Sequence, residues 1–575
     1  MRCSAMPSFI RPKPLATLSF VSFTPLWPGG PLGGRTYRCI TRRYCIGPFL
    51  PDSKQVIGRV RWLLRTVEAT LQVLTGKPVN SYADVESLNA RIFGTTSTAS
   101  KLRIVLSYSP NSVRSYFDAS TVQALEEAAR RASLNAKSIV QLIEVDGFTR
   151  LRHKLNLPPF ERRIWSDYER YLKVTRNGSL VPDELALLLT IPRIRLTLQG
   201  IKKFIDIYEM QPLREGIELT VTIYARKGAN VDSLEASFAV LVIVFTLAFI
   251  GLGKATSRGF GRFALKKYEI NVNNKDLVDD VLESFTKVVN SVEDMKSVYM
   301  EAGKTLLMLA RELKGVPVPS SKIDDVAGED GWHKAVQLVR RSRVPLFATS
   351  IAYVALKGAI GRIKHPCPYA TAELGGRIES RPHGCIDNTV EVGDIITALS
   401  AVGKATLKST WKLYHGPQQL RREGVAYHTW PLGLPRGAQN TGYYIAEHAY
   451  TGERCGPNLG RIAKLNKSSR RLSTVFFTVA CSGGECFGLV QPFLSYEDFA
   501  DAMTRLVHVG KHDKTLYHVV SVAQALQQSR LGHGGCPPDP AGLAAPRDTP
   551  GARTASDVVL EPLLTALDWI VTLLG

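Results

Sequence analysis

The run ASFAVLVIVFTLAFIGLGKATSRGFGRF, Ala236 to Phe263, joins an uncharged apolar stretch to a loop dense in glycines and cations. The uncharged part, Ala236 to Gly253, reaches the lower limit for a membrane span. A helix buried on all sides has the same composition. Ala236–Gly253 is solitary, follows the alternating strand-like segment Ile217–Tyr224 (IELTVTIY), and leads into a glycine-rich basic loop. A core helix is therefore expected, with a membrane anchor at 236–253 as the alternative. In the loop, Gly251, Gly253, Gly259 and Gly261 interleave with Lys254, Arg258 and Arg262. Glycine removes the Cβ barrier to close backbone approach and permits positive φ. Successive exposed N–H groups then form an anion-binding concavity, so phosphate binding is expected here. A nucleoside triphosphate loop would end in G-K-[ST], which this one lacks. A dinucleotide fingerprint would follow a strand, whereas this loop follows a helix. A turn whose cations merely face solvent would carry the same letters.

The whole chain has 575 residues, 45% hydrophobic and 22% charged, which excludes a wholly disordered, collagen-like or coiled-coil protein. Lys and Arg number 73 against 51 Asp and Glu, a net charge of +22. That excess points to a polyanionic partner, either nucleic acid or an anionic membrane surface. Nine cysteines include no C-x-x-C pair, so no zinc ribbon, metal or cofactor is expected. Cys481 and Cys486 flank a Gly-Gly turn and read as a thiol pair or a local disulfide. Pro7, Pro12 and Pro14 interrupt any apolar leader, and a cytoplasmic location is expected.

Outward from the loop, strands are expected over Thr17–Leu26, Leu102–Tyr108, Ile191–Leu198 and Ile217–Tyr224. Val56–Leu74 reads as a helix. Its Val56, Val60, Leu63, Leu64, Val67, Leu71 and Leu74 recur at steps of three and four and define one buried face. Ser120–Arg131 and the charged stretch Asp276–Lys314 also read as helical, with a linker at Gly315–Ser321. The second half restarts at Val344. Strands are expected over Phe347–Ala355 and Ser473–Val479, and helices over Ser495–Val509 and Lys514–Gln528. Gly532–Pro550 reads as a flexible linker before a short helix at Ala555–Leu574. Strands interleaved with helices imply an α+β fold.

A second basic segment, Arg35 to Arg65, carries eight cations against one acid, Asp52, with Tyr37, Tyr44 and Trp62 among them. Basic residues with interleaved aromatics suit single-stranded nucleic acid, by phosphate pairing and base stacking. For Trp62, a place in the core is at least as good a reading as stacking.

These features resemble the RAMP superfamily of CRISPR systems, whose members carry a glycine-rich loop after an apolar helix. FTPLWPGG at Phe23–Gly30 is similar to the opening strand and turn of the family of the first RAMP subunit in the type III-B Cmr effector complex. Gly58-Arg59-Val60-Arg61-Trp62-Leu63-Leu64-Arg65 resembles that family's G-x-L-R-W-W-x-R helix, and Arg91-Ile92-Phe93-Gly94 its I-F-G turn. Trp430–Arg436 (WPLGLPR) and Arg470–Phe477 (RRLSTVFF) resemble its C-terminal domain. Ile57 stands where the family usually has lysine, Lys54 being the nearest, and Leu63 replaces the second aromatic.

The resemblance implies tandem ferredoxin-like domains with a helical insertion. The implied division is an N-terminal extension at 1–16, a first domain at 17–270, a helical insert or linker at 271–321, a second domain at 322–530 and a tail at 531–575. It implies a non-catalytic subunit that holds guide (CRISPR) RNA near its 3′ end together with target RNA, alongside other Cmr subunits and without a membrane. The expected RNA-binding residues are Gly251, Gly253, Lys254, Arg258, Gly259, Gly261, Arg262, Lys54, Arg59, Arg61, Trp62 and Arg65. Arg436, Arg470 and Arg471 are further candidates for RNA or subunit contacts. The alternative within the superfamily is a metal-independent endoribonuclease that processes guides. Such chemistry needs a general base and acid. Every histidine lies at His153 or later, so a histidine of the second half, for example His428 or His448, would supply it.

Overall fold

The computed structural model describes most of residues 13–137 and 188–349. Beyond these it describes 363–364, 389–390, 394–406, 436–438, 441–446, 453–456, 473, 475–493, 506–511 and 517–521. Strand β1 (Ala16–Ser22) leads to a small hairpin of β2 (Arg38–Thr41) and β3 (Tyr44–Ile46). Helix α1 (Ser53–Leu74) follows, started by Asp52, whose carboxylate accepts from the Gln55 N–H at 3.0 Å. All seven apolar positions expected on its inner face are buried.

Strand β4 (Leu102–Tyr108) matches the expected span, and α2 (Ala119–Arg131) begins one residue earlier than expected. Ile191–Leu198, expected as a strand, is instead helix α3 (Pro192–Leu198). Proline at a first helical position has no N–H to lose. Ile191, Ile194 and Leu198 are buried at steps of three and four, a helical spacing hidden beneath an apparent alternation. After α4 (Ile205–Met210) come β5 (Glu218–Ala225), α5 (Ser233–Phe245) and β6 (Phe263–Ile270).

The sheet order is β4-β5-β1-β6, antiparallel throughout. With α1 between β1 and β4, and α5 between β5 and β6, this is the βαββαβ pattern of a ferredoxin-like domain. Alternate residues Ala16, Leu18 and Phe20, with Leu219, Val221 and Ile223, are buried.

Helix α5 continues to Ile250 in a wider last turn, closed by the Gly251 N–H on the Thr246 carbonyl at 2.7 Å. The span Ser233–Ile250 is long and apolar enough to cross a membrane, yet 89% of it is buried within the protein. Helices α6 (Asp276–Phe285) and α7 (Val292–Lys314) explain why it is apolar all round. Tyr299 of α7 packs on Phe245 and Phe249 with ring centres 5.3 and 4.9 Å apart, and Phe285 lies 5.9 Å from Phe249. The stretch read as an insert or connector thus supplies core. α7 ends on Gly315 in the left-handed conformation, and Pro319 opens α8 (Ser320–Ala327).

In the second half, helix α9 (Ile395–Ala405) is followed by β7 (Arg436–Ala438), β8 (Thr441–Ile445), β9 (Glu453–Gly456), β10 (Val475–Ser482), β11 (Glu485–Pro492), β12 (Leu506–Lys511) and β13 (Tyr517–Ser521). Five of these strands form a sheet in the order β9-β13-β12-β8-β7, and β10 pairs with β11 as a separate hairpin. Leu506–Val509 and Tyr517–Ser521 were expected to be helical. Val507 and Val509, with Val519 and Val520, favour the pleated surface instead. Residues 495–505, most of Phe347–Ala355 and the tail from 522 onward lie outside the described residues. Cys481 and Cys486 face each other across β10 and β11 and are disulfide-bonded, as are Cys39 and Cys45 across β2 and β3.

Candidate nucleic-acid interface

The glycine loop is wedged between the first and second halves of the chain. Its amides are largely spent on the protein itself. The Leu252 N–H donates to Gly261 O at 2.9 Å, Lys254 N–H to Trp27 O at 2.7 Å, and Gly261 N–H to Pro25 O at 2.9 Å. All four loop glycines have positive φ. At Gly251 a Cβ would overlap Arg262 Nη1, and at Gly261 it would overlap Leu252 O. These two glycines make room for a buried guanidinium and a backbone crossing rather than for a phosphate.

That guanidinium belongs to Arg262, which is fully buried. Its Nε donates to Thr478 Oγ1 at 3.1 Å. Nη2 donates to Thr256 O at 2.8 Å and to Phe477 O at 2.7 Å. Nη1 donates to Phe260 O at 3.2 Å and to Ile250 O. Each of the five donors of the guanidinium fork has an acceptor. The acceptors are neutral, and Ile250 lies at the carbonyl end of α5, where the helix dipole is negative. Burial, and then repulsion from Arg59, push the Arg262 pKa well below its ordinary value. Arg258 is also buried, with its guanidinium carbon 5.9 Å from the centre of the Phe477 ring. Gly259 is buried against Leu399 and Val479. As folded, Arg262, Arg258, Gly251, Gly259 and Gly261 join the two halves and do not face a surface ligand.

Arg59, Arg61 and Arg65 are all expected RNA contacts, and the helix divides them. Arg61 Nη2 donates to Phe93 O at 2.8 Å. Arg65 Nε donates to Glu86 Oε1 at 2.6 Å, with its guanidinium carbon 5.6 Å from the centre of the Tyr82 ring. Arg61 thus braces the Arg91–Gly94 turn and Arg65 the Tyr82–Glu86 segment before it, so the helix motif and the I-F-G motif are packing partners. Trp62 lies 5.3 Å from Phe476 and 4.8 Å from Phe493, ring centre to ring centre, inside the contact between the halves. Tyr37 is buried too, stacked on Tyr208 at 4.6 Å with its hydroxyl 3.0 Å from Ser115 Oγ.

The remaining expected residues converge. Arg59 Nη2 donates to Gly253 O at 3.2 Å, which ties α1 to the glycine loop across 194 positions. Burial lowers the Arg59 pKa. Lys254 is half-buried, with Nζ 5.4 Å from the Trp27 ring centre. Lys54 is exposed in the first turn of α1. Gln55 Nε2 donates to Gly29 O at 3.4 Å, and a Cβ on Gly29 would sit 3.7 Å from Lys254 Cγ. Lys54, Arg59, Lys254 and the Gly29 turn therefore surround the N-terminal end of α1. Ala255, beside them, holds a left-handed φ of 55° that glycine would adopt more readily. Sequence reasoning missed the Gly29–Gln55 contact, although FTPLWPGG was already singled out. His428, His448, Arg470 and Arg471 lie outside the described residues.

No protein-family model matches the chain, and no curated protein matches it. Solved structures do. One is the type III-B Cmr-beta bound to cognate target RNA and AMPPnP in the presence of ssDNA. It is 13% identical, with a TM-score of 0.40, over 84% of this chain and 94% of that one. The type III-B Cmr-beta bound to cognate target RNA is 12% identical, with a TM-score of 0.39 and the same coverage. Cmr1 from Pyrococcus furiosus in its apo form is 11% identical, with a TM-score of 0.32, over 84% of this chain and 88% of that one. The chain is similar to Cmr subunits. None of these likenesses assigns it a function.

Proposed function

We propose that this chain is a non-catalytic, RNA-binding subunit of a type III-B CRISPR effector complex, working in the cytoplasm beside other Cmr subunits. It holds the 3′-end region of guide RNA together with target RNA. The observation that carries this reading is the bond from Arg59 to the Gly253 carbonyl. It gathers two separately basic segments into one site with Lys54 and Lys254. Behind them, Arg262 contributes positive potential from within the protein with no carboxylate among its hydrogen-bond acceptors. The motifs at Phe23–Gly30, Gly58–Arg65 and Arg91–Gly94 fit the same family.

Electrostatic binding of this kind releases counterions, so affinity falls steeply with salt. The test is anisotropy of labelled repeat-derived guide RNA across a salt series, with wild type and Lys54→Ala/Arg59→Ala/Lys254→Ala. Tight, salt-sensitive binding that the triple variant loses is expected. A flat salt response, or metal-independent cutting of precursor RNA abolished by His428→Ala or His448→Ala, would overturn the reading.

A further inference from the structure

Gly58 lies in the second turn of α1, a helix of 22 residues. Glycine inside a helix lowers stability relative to alanine, because its backbone loses more freedom on folding. It is suited to places where the chain turns left-handed or where something approaches too closely for a Cβ. Gly303, inside α7, has such a reason, since a Cβ there would overlap Thr349 Cγ2. Gly58 has none within the protein. Its backbone is helical, it is exposed, and a Cβ there would meet nothing within 4 Å.

The side chains around Gly58 are held elsewhere. Side chains on a helix lean back toward its N-terminus, so Arg61 and Trp62, three and four positions on, are the ones placed to cover it. Arg61 instead donates to Phe93 O at 2.8 Å, and Trp62 packs on Phe476 and Phe493. Gln55, three positions back, donates to Gly29 O at 3.4 Å. Arg59, the next residue, donates to Gly253 O at 3.2 Å. What remains is a bare notch of helix backbone with exposed Lys54 one turn back.

Continuity decides the occupant. Lys54 and Arg59 already belong to the basic site with Lys254, and Gly58 lies between them on the first two turns of α1. A polyanion held by Lys54 on one side and by the Arg59–Lys254 group on the other passes beside Gly58. We propose that the ribose–phosphate chain of single-stranded RNA crosses α1 directly over Gly58, with a phosphate on Lys54 and the bare helix backbone as the floor of the site. This rests on the RNA-binding reading above and makes Gly58 a binding residue of that same site, one whose contribution is the absence of a side chain.

The test uses the full chain and a fluorescein-labelled oligouridylate, with Gly58→Ala, Gly58→Leu and the Lys54/Arg59/Lys254 variant in parallel. Alanine and leucine form helix more readily than glycine, so both Gly58 variants should melt at or above the wild-type temperature. A side chain forced into a close contact weakens it, and for Gly58→Leu the loss of affinity should be roughly ten-fold. Gly58→Ala should change affinity in the same direction by less. The salt slope should stay at its wild-type value in both, because no cation is removed. Weaker binding by a chain at least as stable as the wild type is not a folding defect. If Gly58→Leu melts below the wild type, Gly58→Ala carries the test, and its unchanged affinity overturns the proposal. Wild-type affinity in Gly58→Leu, with binding lost in the triple variant, overturns the Gly58 proposal alone. It does so even if that variant loses a co-purifying protein, which would make the notch a protein contact. No binding by the wild type overturns this proposal and the RNA-binding reading together.

Discussion

Arg262 donates from Nη2 to the carbonyl of Phe477 at 2.7 Å, across 215 positions of sequence. A buried cation satisfied by four carbonyls and the Thr478 hydroxyl is costly to disturb, because removing the donor strands several acceptors at once. Arg262→Gln should lower stability by about 3 kcal/mol or more. Amide hydrogen exchange in 475–492 should accelerate, since that hairpin loses its tie to the glycine loop. Arg262→Lys should not rescue, because an ammonium offers three donors where the guanidinium fork offers five. A wild-type denaturation midpoint in Arg262→Gln would refute this account.

Gly251→Ala and Gly261→Ala test the same joint from the backbone side. Both positions have positive φ, 79° and 69°, which an L side chain resists. Both would drive a Cβ into Arg262 or Leu252. Strain and overlap together should cost roughly 3 kcal/mol. Gly58→Ala is the control, since its Cβ would meet nothing within 4 Å. Placed in the second turn of α1, it should stabilise by roughly 0.5–1 kcal/mol. Thermal melts of the three variants measure the contrast.

Where burial repeats at a fixed period, the fold was legible in the sequence. The α1 stripe from Val56 to Leu74 and the whole of β4 are instances. The apolar helix was legible as core because its flanks were wrong for a membrane. Pro192–Leu198 was misread because IPRIRLTL satisfies both periods over so short a run. The loop cations were misplaced for a deeper reason. Arg262 is buried only because Phe477 and Thr478 supply acceptors from far along the chain, and no local pattern announces that. Tyr37 sank into the core and half-buried Trp62 packs against it likewise, each on an aromatic partner more than a hundred positions away.

Alkaline pH probes the tyrosines around the root of the β2–β3 hairpin. Burial, with Tyr37 alongside, pushes Tyr208 up to about 12. Burial raises Tyr37 as well, and Tyr116 rises through burial together with the Glu215 carboxylate that its hydroxyl bonds at 2.7 Å. A folded pKa above the unfolded value near 10 means that the stabilising state is the protonated one. Stability from Tyr208 is complete below pH 10 and is lost as the pH climbs through about 12, and Tyr37 and Tyr116 act in the same direction. Denaturant midpoints should therefore be flat from pH 7 to 9 and fall above pH 10. Tyr208→Phe should flatten part of that fall, and tyrosinate absorbance tracks the titration directly.

The division of the α1 arginines predicts which substitutions alter RNA binding and which alter only the fold. Arg61 and Arg65 are committed to Phe93 O and Glu86, whereas Arg59 turns toward Gly253 and Lys254. For a single strand, each lost phosphate contact flattens the dependence of log affinity on log salt by about 0.7. Lys54→Ala and Lys254→Ala should each lower the slope by about that amount, with little change in melting temperature. Arg61→Ala and Arg65→Ala should leave the slope at its wild-type value. Arg65→Ala should cost at most about 1 kcal/mol, because the Arg65–Glu86 pair is partly exposed. If all four variants flattened the slope equally, the helix would present one continuous positive track and the convergence at Gly253 would have no special part in holding RNA.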